Sequence, residues 1–136
     1  MHAETIESMR IKAFQGNEEL YRAVRPWPRF IKADGSITTA AFKAKNGLSV
    51  TRQFCGTRSD GILRFKKDGF EGKVYMLTCN NCEMAKAVVK QKPSTNNLLH
   101  CEIHGGADIV ELSNVQCIEL ARSGSFICDD IQIYVP

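Results

Sequence analysis

Pro26 and Pro28, on either side of Trp27, limit what this chain can build more than any other feature. Each lacks a backbone N–H, and two so close exclude both a helix interior and a central strand at that point. A strand through Glu18 to Val24 must therefore stop there. A turn-rich connection follows before Leu48 and Val50, alternating with Ser49 and Thr51, open a second strand over residues 48 to 53. Asp34-Gly35 and Asn46-Gly47 mark turns within the connection. Ser36 to Phe42 suits a turn of helix capped by a hydroxyl, with Ala40, Ala41 and Phe42 inward. The two strands are expected to be neighbours in one sheet.

This stretch also holds the charge. Residues 20 to 67 carry eleven Lys or Arg against two acids, a net of +9 in a chain whose total is +3. A local positive field concentrates anions whatever the total charge, and eleven bases against two acids exceeds what solubility requires. Arginine offers a planar fork that matches phosphate or carboxylate. Arg22, Lys43 and Arg52 lie on or beside adjacent elements of the expected sheet. With Ser49 and His100 they form the expected ligand site, on the argument that Ser49 and His100 alternate with apolar neighbours and leave the core on the polar face. Trp27, held between its prolines, reads either as a lid over the core edge or as a stacking platform for a base or ring.

The length of 136 residues and the 43% apolar content suit one domain, 1–136, with residues 1–16 as an N-terminal helical arm in which Ile6, Met9 and Phe14 share a face. No apolar run approaches the roughly 20 residues of a membrane span, and the first residues are acidic where a signal peptide is basic. A cytoplasmic location is expected. Further along, Ser59 to Phe65 fits helix or strand. Lys73 to Cys79 reads as a strand, Cys82 to Val89 as a helix capped by Asn80 or Asn81, and Leu98 to His104 as a strand. A helix within 108–123 would turn Leu112, Val115 and Ile118 inward with Leu120 at the margin of that face, and Phe126 to Val135 would close the sheet. Strands and helices in no regular β-α-β order indicate α+β, a single mixed or antiparallel sheet with a few short helices.

Six cysteines without an export signal are expected as thiols, with Cys117 and Cys128 in the core. Cys79-x2-Cys82, eighteen residues, then Cys101-x2-His104 has the spacing of a zinc ribbon. The strand parity of Cys101 and His104 points them to opposite faces, so the expectation is no metal, with zinc on Cys79, Cys82, Cys101 and His104 as the alternative. His100, Glu102 and His104 share a strand face, which suits acid–base chemistry, a divalent metal or a solvated surface.

Leu20-Tyr21-Arg22-x-Val24-x-Pro26, Asp34-Gly35-Ser36-x2-Thr39-Ala40-Ala41-Phe42-Lys43, Leu48-Ser49-Val50-x-Arg52 and Asn97-x2-His100-x2-Ile103-x-Gly105 together cover about two thirds of the chain. In these motifs the chain resembles a family of small, largely uncharacterised prokaryotic proteins. Where that family is expected to carry Asp, this chain has Thr51. The resemblance implies a setting in a defence or toxin-related system, with a protein partner from a neighbouring gene. A Tyr-Arg strand followed by a Ser-bearing strand is also similar to ADP-ribosyltransferases, which would need Glu102 or Glu111 as the catalytic acid. The leading expectation is binding of an anionic ligand, a nucleotide or nucleic acid. A nucleotide enzyme of ADP-ribosyltransferase type and a small zinc-binding interaction module are its alternatives.

Overall fold

The central strand is β1, Glu19–Val24, which ends before the Pro26-Trp27-Pro28 break. The computed structural model describes residues 14–54 and 56–131, those after 127 by backbone alone. Residues 1–13 of the expected N-terminal arm, Cys55, the Cys128 side chain expected in the core and the end of the closing strand lie outside the described residues. Five further strands follow: β2 (Leu48–Arg52), β3 (Gly72–Thr78), β4 (Val88–Gln91), β5 (His100–His104) and β6 (Ser125–Ile131). They form one open sheet in the order β4-β5-β2-β1-β3-β6, every neighbouring pair antiparallel. With three short helices among the described residues, α1 (Arg58–Lys67), α2 (Cys79–Met84) and α3 (Asn114–Ser123), this is the expected α+β architecture. Among the described residues no helix is long and apolar enough to cross a membrane.

Strand alternation sorts the core onto two faces. Leu20, Val24, Leu48, Val50, Tyr75, Leu77, Cys101 and Ile103 are buried on the first face. There they meet Phe42 of a 3₁₀ turn (Thr39–Phe42), Cys82 of α2, and Cys117 and Leu120 of α3. On the second face α1 covers Tyr21 and Val74, and Ile62 and Phe65 pack around them. Gly61 makes that docking possible. A β-carbon there would stand 2.6 Å from the Tyr21 ring, so the glycine that weakens the helix by about 1 kcal/mol lets α1 lie flat on the tyrosine.

Each helix starts on a reciprocal capping box. Thr57 pairs with Asp60, Thr78 with Asn81 and Ser113 with Gln116, each pair satisfying two backbone N–H groups the helix leaves open. The boxes correct the sequence reading twice. Thr78, rather than Asn80 or Asn81, caps α2, so Cys79 begins that helix instead of ending a strand. The helix then stops at Met84, and Val88 and Val89 form an edge strand rather than helix. In α3, capped at Ser113, Cys117 and Leu120 face the core, while Val115 and Ile118 are exposed.

The end of α2 is a Schellman closure. Ala87 N–H donates to Cys82 C=O and Lys86 N–H to Glu83 C=O, each at 2.9 Å, with Lys86 at φ +62°. That backbone region costs a residue with a β-carbon roughly 1 kcal/mol relative to glycine. Lys86→Gly is therefore expected to raise unfolding stability by up to about 1 kcal/mol, read by urea denaturation; a destabilisation would show that the lysine side chain is needed there.

Candidate functional site

Arg22 and Arg52 sit on the same face of the sheet, since Leu20, which alternation places with Arg22, is paired with Arg52 across β1 and β2. Their surroundings differ. Arg52, expected among the ligand groups, is 2% exposed. Its Nε and Nη2 each donate to a Glu18 carboxylate oxygen at 2.6 Å, and its guanidinium lies 4.1 Å from the Phe14 ring centre and 5.2 Å from that of Phe54. Arg52 is two residues from Val50, so it shares the core parity, and the expectation that it joins Ser49 on the polar face is corrected.

The thiols suspected of holding zinc belong to the same surroundings. Glu18 and Arg52 both act electrostatically on Cys79 and Cys101. Burial pushes the thiols of Cys79, Cys82 and Cys101 up to about 12. His104 faces away from them, its Nε2 hydrogen-bonded to Glu102 Oε1 at 2.8 Å. Among the described residues no three His, Cys, Asp or Glu side chains are placed to hold a metal ion, and of the alternative zinc set Cys79, Cys82, Cys101 and His104 the last two lie on opposite faces of the sheet.

Among the described residues Arg22 has no such carboxylate. The register of β1 with β2 covers Leu20↔Arg52 and Tyr21↔Thr51, and beyond these pairs the two strands separate. Gln53 N–H bonds Glu19 C=O, which sets the alternation: the peptide groups of Ala23 also point toward β2, where no residue is in register. The Arg22 side chain fills this gap. Nη1 donates to Ser49 C=O at 3.1 Å and Nη2 to Ala41 C=O at 3.3 Å, while Nε is buried without a partner. Burial pushes the pKa of Arg22 down.

A pocket opens on each side of this guanidinium. The larger, about 170 Å³, is lined by Tyr21, Arg22, Ala23, Ser49, Thr51, Phe65, Asn97 and His100. Arg22, Ser49 and His100 thus meet in one concavity, although Arg22 reaches it through the gap rather than from the same face. Asn97 is fixed at both ends, its Nδ2 donating to Thr51 Oγ1 at 3.0 Å and its Oδ1 accepting from Leu99 N–H at 3.0 Å. His100 Nδ1 donates to Lys92 C=O at 2.9 Å, which fixes the tautomer of the neutral ring and leaves Nε2 as its other polar atom. The smaller pocket, about 80 Å³, is lined by Arg22, Ala23, Val24, Arg25, Phe30 and Ala41.

Lys43 lines neither pocket; it is exposed after the 3₁₀ turn, on the side of Cys117. The basic stretch as a whole is divided. Ala41 and Phe42 tie the β1–β2 connection to the first face, whereas Arg58, Arg64, Lys66 and Lys67 ride on α1 over the second. Arg58 is held by Glu19, which in turn accepts from the Tyr21 hydroxyl. Sequence reasoning did not select Tyr21, Thr51, Asn97 or Phe65 for the site. Asn97 carried a signal, because an amide three residues before a strand histidine can tie the loop to the neighbouring strand.

No family model matches the chain, and neither a curated protein nor a solved structure resembles it at a significant level.

Two outcomes follow from the buried charges and thiols. Glu18→Gln takes the carboxylate away from the buried Arg52 guanidinium and is expected to cost about 3–5 kcal/mol of unfolding free energy, whereas joint replacement of both residues by Leu and Met should recover much of that loss. Equal losses in the single and double variants would contradict the pairing. The thiols act at alkaline pH. Their folded pKa values of about 12 exceed the ordinary 9.0, so the folded state keeps protons that the unfolded chain releases. The stability they contribute is complete below pH 9 and is lost as pH rises toward 12. Urea unfolding across that range should show the decline, and iodoacetamide at pH 8 should label these three cysteines only after unfolding.

Proposed function

We propose that the protein binds the anionic group of a ligand, phosphate above all, in the pocket where β1 and β2 separate. The observation that carries this reading is Arg22: a largely buried cation whose described partners are two neutral carbonyls and no carboxylate. A buried charge left unneutralised is costly, and an arriving anion would relieve that cost with charge-assisted hydrogen bonds. Around it stand groups that can donate to an oxyanion: the Ser49 hydroxyl, the second N–H of the Asn97 amide and the peptide N–H groups of Ala23 and Ser49, while His100, whose Nδ1–H is taken by Lys92 C=O, donates from Nε2 only as the imidazolium.

Size narrows the ligand. Pockets that engulf a whole small molecule occupy roughly 300–1,000 Å³. At about 170 Å³ this one takes a phosphate or carboxylate group and leaves the rest of the molecule outside. A nucleotide bound by its phosphate, with sugar and base over the pocket rim, meets that condition and agrees with the positive charge of residues 20 to 67.

Calorimetric titration with inorganic phosphate and with uridine monophosphate tests the reading. Both are expected to bind the wild-type protein. Arg22→Ala should weaken binding by roughly 1–3 kcal/mol, Arg22→Lys should retain part of it because charge remains without the fork, and His100→Ala and Ser49→Ala should each cost less. Loss of its two carbonyl bonds should also lower the stability of Arg22→Ala by about 1–2 kcal/mol, so folding is checked by circular dichroism. Failure of both ligands to bind the wild-type chain, or full binding by Arg22→Ala, would overturn the proposal.

A further inference from the structure

We infer that Trp27, stacked on Phe30, is a platform for the bases of a single-stranded nucleic acid whose phosphate occupies the Arg22 site. This rests on the anion reading of that site and names its ligand class. Trp27 is 52% exposed, so the lid alternative is replaced: Phe30, not the indole, packs against the first-face core. The two ring centres are 5.6 Å apart with planes inclined by 22°. Phe30 therefore supports the indole from one side.

The platform is preorganised. Prolines fix the backbone on both sides of Trp27, and its carbonyl accepts from the N–H groups of Phe30 at 2.8 Å and Ile31 at 2.9 Å. The segment is tied down further by Thr38, whose hydroxyl donates to Arg29 C=O and whose N–H donates to Phe30 C=O. Ordering has thus been completed before a ligand arrives, which reduces the entropy lost on binding.

The link between the platform and the anion site is Arg22, which lines both the larger pocket and the smaller one on its other side. Phe30 lines the smaller pocket together with Arg22 and Arg25, and the Arg29 guanidinium lies 5.1 Å from the Phe30 ring centre. Arg22 and Arg25 line the same pocket as Phe30, although the Arg25 guanidinium lies over the Phe70 ring, and the sequence has no acid between residues 20 and 33. Bases offer ring faces to an exposed indole and phosphates match flanking cations, and the two occur alternately along a single strand. A duplex hides its base faces in its own stack and has nothing to offer the platform.

Trp27 is the one tryptophan in the chain, so its fluorescence reads the contact directly. A thymidine decamer is expected to quench it saturably, with affinity falling steeply as salt rises. Trp27→Ala should bind a fluorescently labelled decamer about 5- to 100-fold more weakly while binding inorganic phosphate as the wild type does, and Trp27→Phe should recover part of the loss. Decamer binding without quenching, equal affinity in Trp27→Ala, or a duplex of the same length binding as tightly would overturn the platform. Uridine monophosphate binding without decamer binding would overturn it too and leave the Arg22 reading standing. Failure of phosphate, uridine monophosphate and decamer alike would sink both.

Discussion

The Glu18–Arg52 ion pair ties together more of this fold than any other contact. Two parallel bonds of 2.6 Å join the start of β1 to the end of β2. The Arg52 N–H holds Leu99 C=O at the entry to β5, and the Glu18 C=O receives the N–H of Cys79 at the start of α2. The carboxylate also takes the N–H of Phe54 at 2.8 Å. Phe54 is at φ +55°, a region that costs a bulky residue roughly 1–3 kcal/mol and persists only where the surroundings over-determine it. A carboxylate on its N–H and a guanidinium beside its ring do so. Burying two charges gains little net energy, so what the pair contributes is position: four elements meet at one fixed point.

Against that frame Arg22 is the counter-example. Both arginines are on the first face and both are withdrawn from water, yet Arg52 has a carboxylate and two rings while Arg22 has the carbonyls of Ser49 and Ala41. The difference follows from register. At Arg52 the two strands are paired and Glu18 is within reach, whereas at Arg22 β2 has turned toward β5 and only backbone remains. A sheet that kept its ladder through Ala23 and Ser49 would have no room for a guanidinium between the strands. The gap and the orphan cation are one feature.

This explains what the sequence disclosed and what it withheld. Strand positions were legible because prolines, glycines and alternation report local backbone preference: β1, β2, β3, β5 and β6 lie where those signals put them. Arg52 reads as a polar-face residue by its charge, yet it shares the parity of Leu48 and Val50, and a buried ion pair obeys parity. The boundaries of α2 and α3 were written in Thr78-x2-Asn81 and Ser113-x2-Gln116. Cys117 is legible as core from its apolar neighbours, and the box at Ser113 sets the helix phase that puts Leu120 beside it and leaves Val115 and Ile118 outside. The pocket was only half legible. Alternation put Ser49 and His100 on one face, but no local signal says where the pairing of two strands will stop, and that long-range event admits Arg22 to the same cavity.

The interrupted ladder also bears on how an anion would be held. Ser49 supplies the carbonyl that anchors Arg22, while its N–H and hydroxyl remain for other partners. One residue therefore both positions the cation and faces what the cation attracts. The Arg22 fork is already oriented by Ser49 and Ala41 on opposite arms, so little rotamer freedom is left to lose when a ligand enters. On the far wall Asn97 and His100 are likewise braced, through Leu99 N–H and Lys92 C=O, by the loop that delivers β5. That far wall is tied to the ion pair directly, because the Arg52 N–H bonds Leu99 C=O between Asn97 and His100, so the residue that takes the Glu18 carboxylate also holds the loop that carries the wall.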